Sequence, residues 1–208
     1  MNKIIKLLYV DDEIDNLLSD YLDENISNQN CPVLDFKYDY YELEFSSDIN
    51  YQDLLNDEKI RTANIIIIDS RLFNNDNSNH KYRGEEIELL IRKTFPFIEV
   101  IVITQNNFAD GRNIVRKYAS TSENDRNKAF NHYQEKLRPI IEDKCKSVIS
   151  RRFMAIDFEK NDTWDELTKE RLVNSFRAVA LYEELTKEDI DRLILSFKQI
   201  ENKINRES

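Results

Sequence analysis

Three short runs constrain this chain more than anything else in it: Ile4–Val10 (IIKLLYV), Asn64–Ser70 (NIIIIDS) and Phe95–Thr104 (FPFIEVIVIT). Each is dominated by apolar and β-branched residues. Each is too short for a buried helix and lacks the polar alternation of a strand with one wet face. Such runs read as strands covered on both sides, as in a parallel sheet with helices on its faces.

Helical spacing fills the intervals. Ile14, Leu17, Leu18, Tyr21 and Leu22 follow the first run, and Ile87, Leu90 and Ile91 follow the second. Between them, Cys31–Phe45 alternates apolar with charged residues (LDFKYDY, YELEF) and predicts one or two half-exposed strands, as a hairpin or an extended edge. Tyr51–Ile60 reads as a short helix and Ile114–Ser120 as a last strand. A long helical stretch from about Asn127 carries Phe130, Tyr133, Leu137, Ile140, Ile141 and Val148, and Pro139 within it predicts a kink or a break. Strand and helix in alternation predict an α/β domain.

From Arg151 onward strand signals stop. Two amphipathic segments carry apolar stripes, one at Leu172, Val173, Phe176 and Val179, the other at Ile190, Leu193, Ile194, Phe197 and Ile200. ELTKE occurs at Glu166–Glu170 and again at Glu184–Glu188, where Thr reads as a helix cap and the preceding Leu as part of a staple. The expected organisation is an α/β domain over 1–150 and a helical extension over 151–208. The stripes either pack on the domain or form a partner or dimer surface, with Trp164 expected to anchor the extension to the core.

Composition narrows the function. A formal net charge of −10 over 208 residues opposes non-specific binding to nucleic acid, which rests on neutralising phosphates. The basic stretch Lys144–Arg152 (KCKSVISRR) reads as a solvated surface. With 2 Gly, phosphate loops built on several glycines are excluded. No apolar run approaches the roughly 18 residues of a membrane span, and no signal-peptide pattern opens the chain, so a cytoplasmic protein is expected. Cys31 and Cys145 belong to no metal-ligand pattern and are expected to be reduced thiols. His80 and His132 read as plain surface residues.

Chemistry is expected where the strands end. The first runs into Asp11 and Asp12, the second into Asp69. Open α/β sheets bind ligands at the carboxyl edge of their strands. Three carboxylates gathered there raise one another's pKa unless a cation joins them. Magnesium, a hard ion taking oxygen ligands, suits such a set and often bridges carboxylates to a phosphoryl group. The third strand ends on the hydroxyl of Thr104, and the fourth ends on Lys117, a cation. Acids, a hydroxyl and an ammonium around one pocket suit phosphoryl chemistry with an Asp nucleophile.

In order and spacing, LLYVDDE, IIIIDSRLF, GEEIELLIRK and VIVIT resemble the receiver domain of two-component response regulators over roughly Lys3–Ser150. The resemblance implies a doubly wound, five-stranded parallel sheet in the order 2-1-3-4-5. It implies Asp69 as phosphoacceptor, Asp12 as a magnesium ligand with Asp11 assisting, the Arg71 backbone carbonyl on the metal, and Thr104 and Lys117 as the switch hydroxyl and conserved lysine. Lys128 is the fallback for that lysine. It further implies a histidine kinase or phosphotransfer protein as donor in a phosphorelay, and a protein output partner engaged through the extension, with a homodimer left open. The chain departs from the pattern at Phe73 (usually Pro), at Gln105 (usually small), at Ile114 (usually an aromatic toggle) and at Tyr118 (usually a cis-Pro). The interval from Thr104 to Lys117 is also short. The acid pocket is kept while the usual output face is rebuilt, so a pseudo-receiver adaptor that binds partners without being phosphorylated is the alternative. A magnesium-dependent phosphatase is disfavoured because Arg71 stands where such enzymes carry a second acid. No enzymatic turnover of an external substrate is expected beyond self-catalysed phosphotransfer and hydrolysis.

Overall fold

A computed structural model describes residues 3–31, 35–45, 51–71, 84–105, 113–119, 125–160 and 163–176. Five strands form one sheet: β1 (Ile4–Asp11), β2 (Lys37–Glu44), β3 (Ile65–Asp69), β4 (Glu99–Thr104) and β5 (Ile114–Arg116). All neighbours are parallel and the order is β2-β1-β3-β4-β5, the doubly wound arrangement expected from the sequence. The aromatic segment after Cys31 is therefore one edge strand rather than a hairpin. It pairs with β1 from Ile4↔Lys37 to Asp11↔Glu44; Tyr38 is buried in the core, and the other side chains of β2 are partly or fully exposed.

Period-two alternation splits the core into two layers. Ile5, Leu7, Tyr9, Ile65, Ile67, Ile101, Ile103 and Val115 face one side. There they pack with α1 (Asn16–Asn25), α5 (Arg126–Lys136) and α6 (Arg138–Glu159). Leu8, Val10, Ile66, Ile68, Val100 and Val102 face the other side, against α2 (Tyr51–Asn56), α3 (Glu58–Thr62) and α4 (Gly84–Thr94). Every residue of β3 is buried, since it is the central strand with helices on both faces.

Local signals explain the boundaries. Asp15 caps α1, its Oδ1 accepting from the N–H groups of Leu17 (2.9 Å) and Leu18 (3.2 Å). Asn28 and Asp35 take the left-handed turns (φ 57° and 49°) between α1 and β2, a conformation these residue types tolerate. The expected effect of Pro139 is a break: α5 ends at Lys136, and the proline sits in the first turn of α6, where its missing N–H costs nothing.

α6 runs through position 150 without interruption. Several expectations are corrected: Lys144, Arg151 and Arg152 of the basic stretch are not a solvated surface, while Lys146 is exposed. Lys144 and Arg151 pair with Glu99 at 3.1 and 2.6 Å, and Arg152 donates to Asn64 Oδ1 at 2.9 Å while lying over the Phe36 ring. These partners lie far away in sequence, at the start of β4, just before β3 and beside β2, so no local charge pattern could expose them. Cys31 and Cys145, expected as separate thiols, are joined by a disulfide 114 residues apart. The segment entering β2 and the middle of α6 pack on the same core layer, which brings the two sulfurs together. Trp164 does not reach the core. It is 44% exposed and meets Phe158, near the end of α6, edge-on at 5.7 Å. In α7 (Glu166–Phe176) the capping side chain is Asp165, whose Oδ1 accepts from the Thr168 N–H at 2.9 Å; Thr168 lies inside the helix. Phe73, His80, Val179, the second ELTKE and the stripe Ile190–Ile200 lie outside the described residues.

Candidate functional site

Strand alternation and register assemble the pocket. Tyr9 faces Ile67 across β1 and β3, and two residues further along each strand stand Asp11 and Asp69. Ile103 faces Val115 across β4 and β5, so Lys117, two residues beyond Val115, comes up on the same face. Asp11, Asp69 and Lys117 thus gather at the carboxyl edge of the sheet, on the side of α1 and α5. Asp11, Asp69 and Thr104 are all buried.

Lys117 lies at the centre. Its Nζ donates to Asp11 Oδ2 at 3.0 Å and to Asp69 Oδ2 at 3.2 Å, with Asp15 Oδ2 at 3.7 Å. Burial opposes its charge, but Asp69, Asp11 and Asp15 outweigh that and raise its pKa above the ordinary lysine value. Lys128 is elsewhere, exposed and paired with Asp125 at 2.9 Å. Arg71 opens the turn after β3, and its N–H donates to Asp69 Oδ1 at 2.7 Å. Ser70 Oγ donates to Thr104 Oγ1 at 2.8 Å, fixing the hydroxyl pair one step from Asp69.

The negative charge exceeds what one ammonium can balance. Burial raises the Asp69 carboxyl, Lys117 pulls it back, and Asp11 adds to the rise, leaving it above the usual carboxylate range. Asp12, half-buried at the mouth, is raised to about 6 by burial, by its hydrogen bond with Asp11 and by the charges of Asp11 and Asp69. Among the described residues no three acids are already spaced to close on a metal ion. The donors are nonetheless the hard oxygens a divalent cation takes, and the excess charge is the kind such an ion relieves. The residue types fit magnesium.

Four contributors escaped the sequence reading. The buried Tyr9 hydroxyl donates to Asp11 Oδ2, and burial together with Asp11 holds the phenol protonated, far above its ordinary pKa. Its position two residues before Asp11 in a strand was the available signal, because alternation puts both on one face. Asp15 serves both as helix cap and as third acid around Lys117. Ser70 follows Asp69 directly. Gly84, at the start of α4, presses on the same strand end. Its N–H donates to Ser70 O at 3.0 Å, and a Cβ there would stand 2.5 Å from Asp69 O and 2.7 Å from Ser70 Cα.

No protein-family model and no curated protein matches this sequence. Among solved structures, the chain is similar to one described as the crystal structure of a two component transcriptional regulator AraC from Clostridium phytofermentans ISDg. The two share 19% identity, 72% of this chain and 98% of that one are covered, and the TM-score is 0.39. The fold assignment stands on the strand order and connectivity described above.

Proposed function

We propose that this chain is a receiver-type signalling protein that accepts a phosphoryl group on Asp69. The observation that carries the reading is the convergence of Asp11, Asp12 and Asp69 with Lys117 and Thr104 at the carboxyl edge of a 2-1-3-4-5 sheet. In the reaction an Asp69 carboxylate oxygen forms a bond to phosphorus as the donor's P–N bond (phosphohistidine) or P–O bond (acetyl phosphate) breaks. The leaving group keeps the electron pair: the imidazole of the phosphohistidine takes up a proton, whereas acetate departs as the anion. Asp11, Asp12, Asp69 and the Arg71 carbonyl would hold magnesium, which when bound offsets the charge on the phosphoryl oxygens. Lys117 moves its ammonium from the carboxylates to the new phosphoryl oxygens. Thr104, held by Ser70, supplies a hydroxyl beside them, and Arg71 N–H fixes the Asp69 rotamer.

The donor on this reading is a histidine kinase or phosphotransfer protein. The output partner is a protein engaged through the helices after residue 150. A cytoplasmic setting is part of the proposal; among the described residues no helix is long and apolar enough to cross a membrane. The Cys31–Cys145 bond is compatible with that setting because both sulfurs are buried away from exchanging thiols.

A second reading has one observation in its favour: the Lys117 ammonium already bridges Asp11 and Asp69, an internal partner that suits a pseudo-receiver adaptor that never takes a phosphoryl group. Acetyl phosphate with and without magnesium separates the two readings. The first expects a phosphoryl-sized mass gain that needs magnesium and disappears in Asp69→Asn. No gain with any donor or kinase leaves the adaptor.

A further inference from the structure

The segment carrying Lys117 has little sheet to hold it. β5 is a three-residue edge strand, and its last pair is Thr104↔Arg116, one residue short of the lysine. Yet the two peptide groups flanking the Lys117 Cα are tied down by three hydrogen bonds. Its own N–H donates to Thr104 O at 2.7 Å. The carbonyl before it, on Arg116, accepts from His132 Nε2–H at 2.7 Å. The N–H after it, on Tyr118, donates to the Tyr133 hydroxyl at 3.1 Å. Two of the three ties come from adjacent residues of α5.

Those two residues are themselves braced. Tyr133 is wholly buried, with its ring 5.6 Å from Tyr21 of α1 and 5.3 Å from His132, so its hydroxyl has little room to wander. α5 is fastened to α1 by the Tyr21 hydroxyl donating to Gln134 at 3.0 Å and by Arg126 pairing with Glu24 and Asp20. The residue type at 118 completes the device. A proline there would lack the N–H that Tyr133 receives.

We infer that Tyr133 and His132 are positioning residues for Lys117: together they clamp the backbone on either side of it, so that its ammonium stands over Asp69 without help from a longer strand. A long flexible side chain delivers its charge reproducibly only if its Cα is fixed, and functional groups tolerate about 0.5 Å of play. The inference rests on the proposed reading in that Lys117 then serves the phosphoryl group on Asp69.

Affinity for beryllium trifluoride in the presence of magnesium tests it in the full chain. Tyr133→Phe keeps the ring and removes the hydroxyl; about tenfold weaker binding is expected, the effect of leaving one buried donor unpaired. Lys117→Gln is expected to weaken binding further, and the double variant to bind no worse than Lys117→Gln alone, because Tyr133 acts through the lysine. On the partly exposed His132, Ala weakens binding and Gln, which keeps an N–H donor, restores it. Unchanged affinity in Tyr133→Phe, or losses that multiply in the double variant, overturn the inference. Exchange of the Tyr118 amide with solvent gives a readout free of phosphoryl chemistry: it is expected to accelerate in Tyr133→Phe, and an unchanged rate overturns the clamp. If the wild-type chain itself ignores beryllium trifluoride, the proposed function falls, and amide exchange alone then decides the clamp.

Discussion

Gly84→Ala adds one methyl group and is expected to reach the phosphoacceptor strand. The new Cβ would lie 2.5 Å from Asp69 O and 2.7 Å from Ser70 Cα, and both obstacles are backbone, so no rotamer change relieves them. Reaching ordinary contact at 3.4 Å requires the first pair to separate by 3.4 − 2.5, about 0.9 Å. A shift of that size is enough to break the 3.0 Å bond from Gly84 N–H to Ser70 O. Overpacking of this kind costs about 1–3 kcal/mol. The higher helix propensity of Ala returns at most about 1 kcal/mol, and less in a first turn. The net expectation is about 1–2 kcal/mol of destabilisation, read by urea denaturation. The chemical effect is larger. A displacement near 1 Å at a reacting group costs about 10²-fold in rate, so phosphorylation of Asp69 by acetyl phosphate is expected to slow by about that factor in protein that is still folded. A Gly84→Ala chain with wild-type stability and wild-type labelling rate refutes the close approach of α4 to β3 and the dependence of Asp69 on it.

Asp12 gives a pH dependence. Burial and the neighbouring Asp11 and Asp69 push its folded pKa up to about 6, above the ordinary aspartate value, so the folded state holds the proton more tightly. Metal-free protein is therefore expected to gain stability as pH falls through about 6, and to be destabilised by this group at pH 7.5; Asp12→Asn should remove that slope in thermal melts taken with a chelator. A chain cut after residue 150 loses Arg151 and Arg152 from their contacts with Glu99 and Asn64, together with the buried Ala155. It is expected to denature at clearly lower urea than a chain ending at 160, whereas equal midpoints would support a boundary at 150. A non-reducing peptide map is expected to link Cys31 to Cys145, and reduction to lower stability by up to about 5 kcal/mol, the chain-entropy ceiling for a loop of 114 residues.

The sheet was legible because its strands are extreme. NIIIIDS and EVIVIT admit one placement, in the middle of a sheet covered on both faces, and the acids that follow such strands fall at the ligand-binding edge. Asp11, Asp12, Asp69 and Thr104 could be named from that logic alone. The choice between Lys117 and Lys128 could not be settled so simply, because β5 is three residues long and its period is too short to read. What stayed hidden is long-range. Glu99 follows an apolar proline turn in sequence, yet two cations 45 and 52 positions away close on it. Cys31 and Cys145 meet only because α6 crosses the layer that also receives the segment before β2. His132 looked like an ordinary helix-surface residue, and its partner is a carbonyl in another element. Tyr9 was read as one more apolar residue of β1, since a phenol in a strand shows nothing of what its hydroxyl meets.

The claim at the centre of this account is that Asp69, and no other acid of the pocket, carries the phosphoryl group. Borohydride reduces an acyl phosphate to an alcohol and so leaves homoserine where the phosphorylated aspartate stood. After incubation with acetyl phosphate and magnesium, peptide sequencing by mass is expected to find homoserine at position 69, and to find none when magnesium is chelated. Homoserine at 11 or 12 instead, or at no aspartate under any donor, contradicts the account.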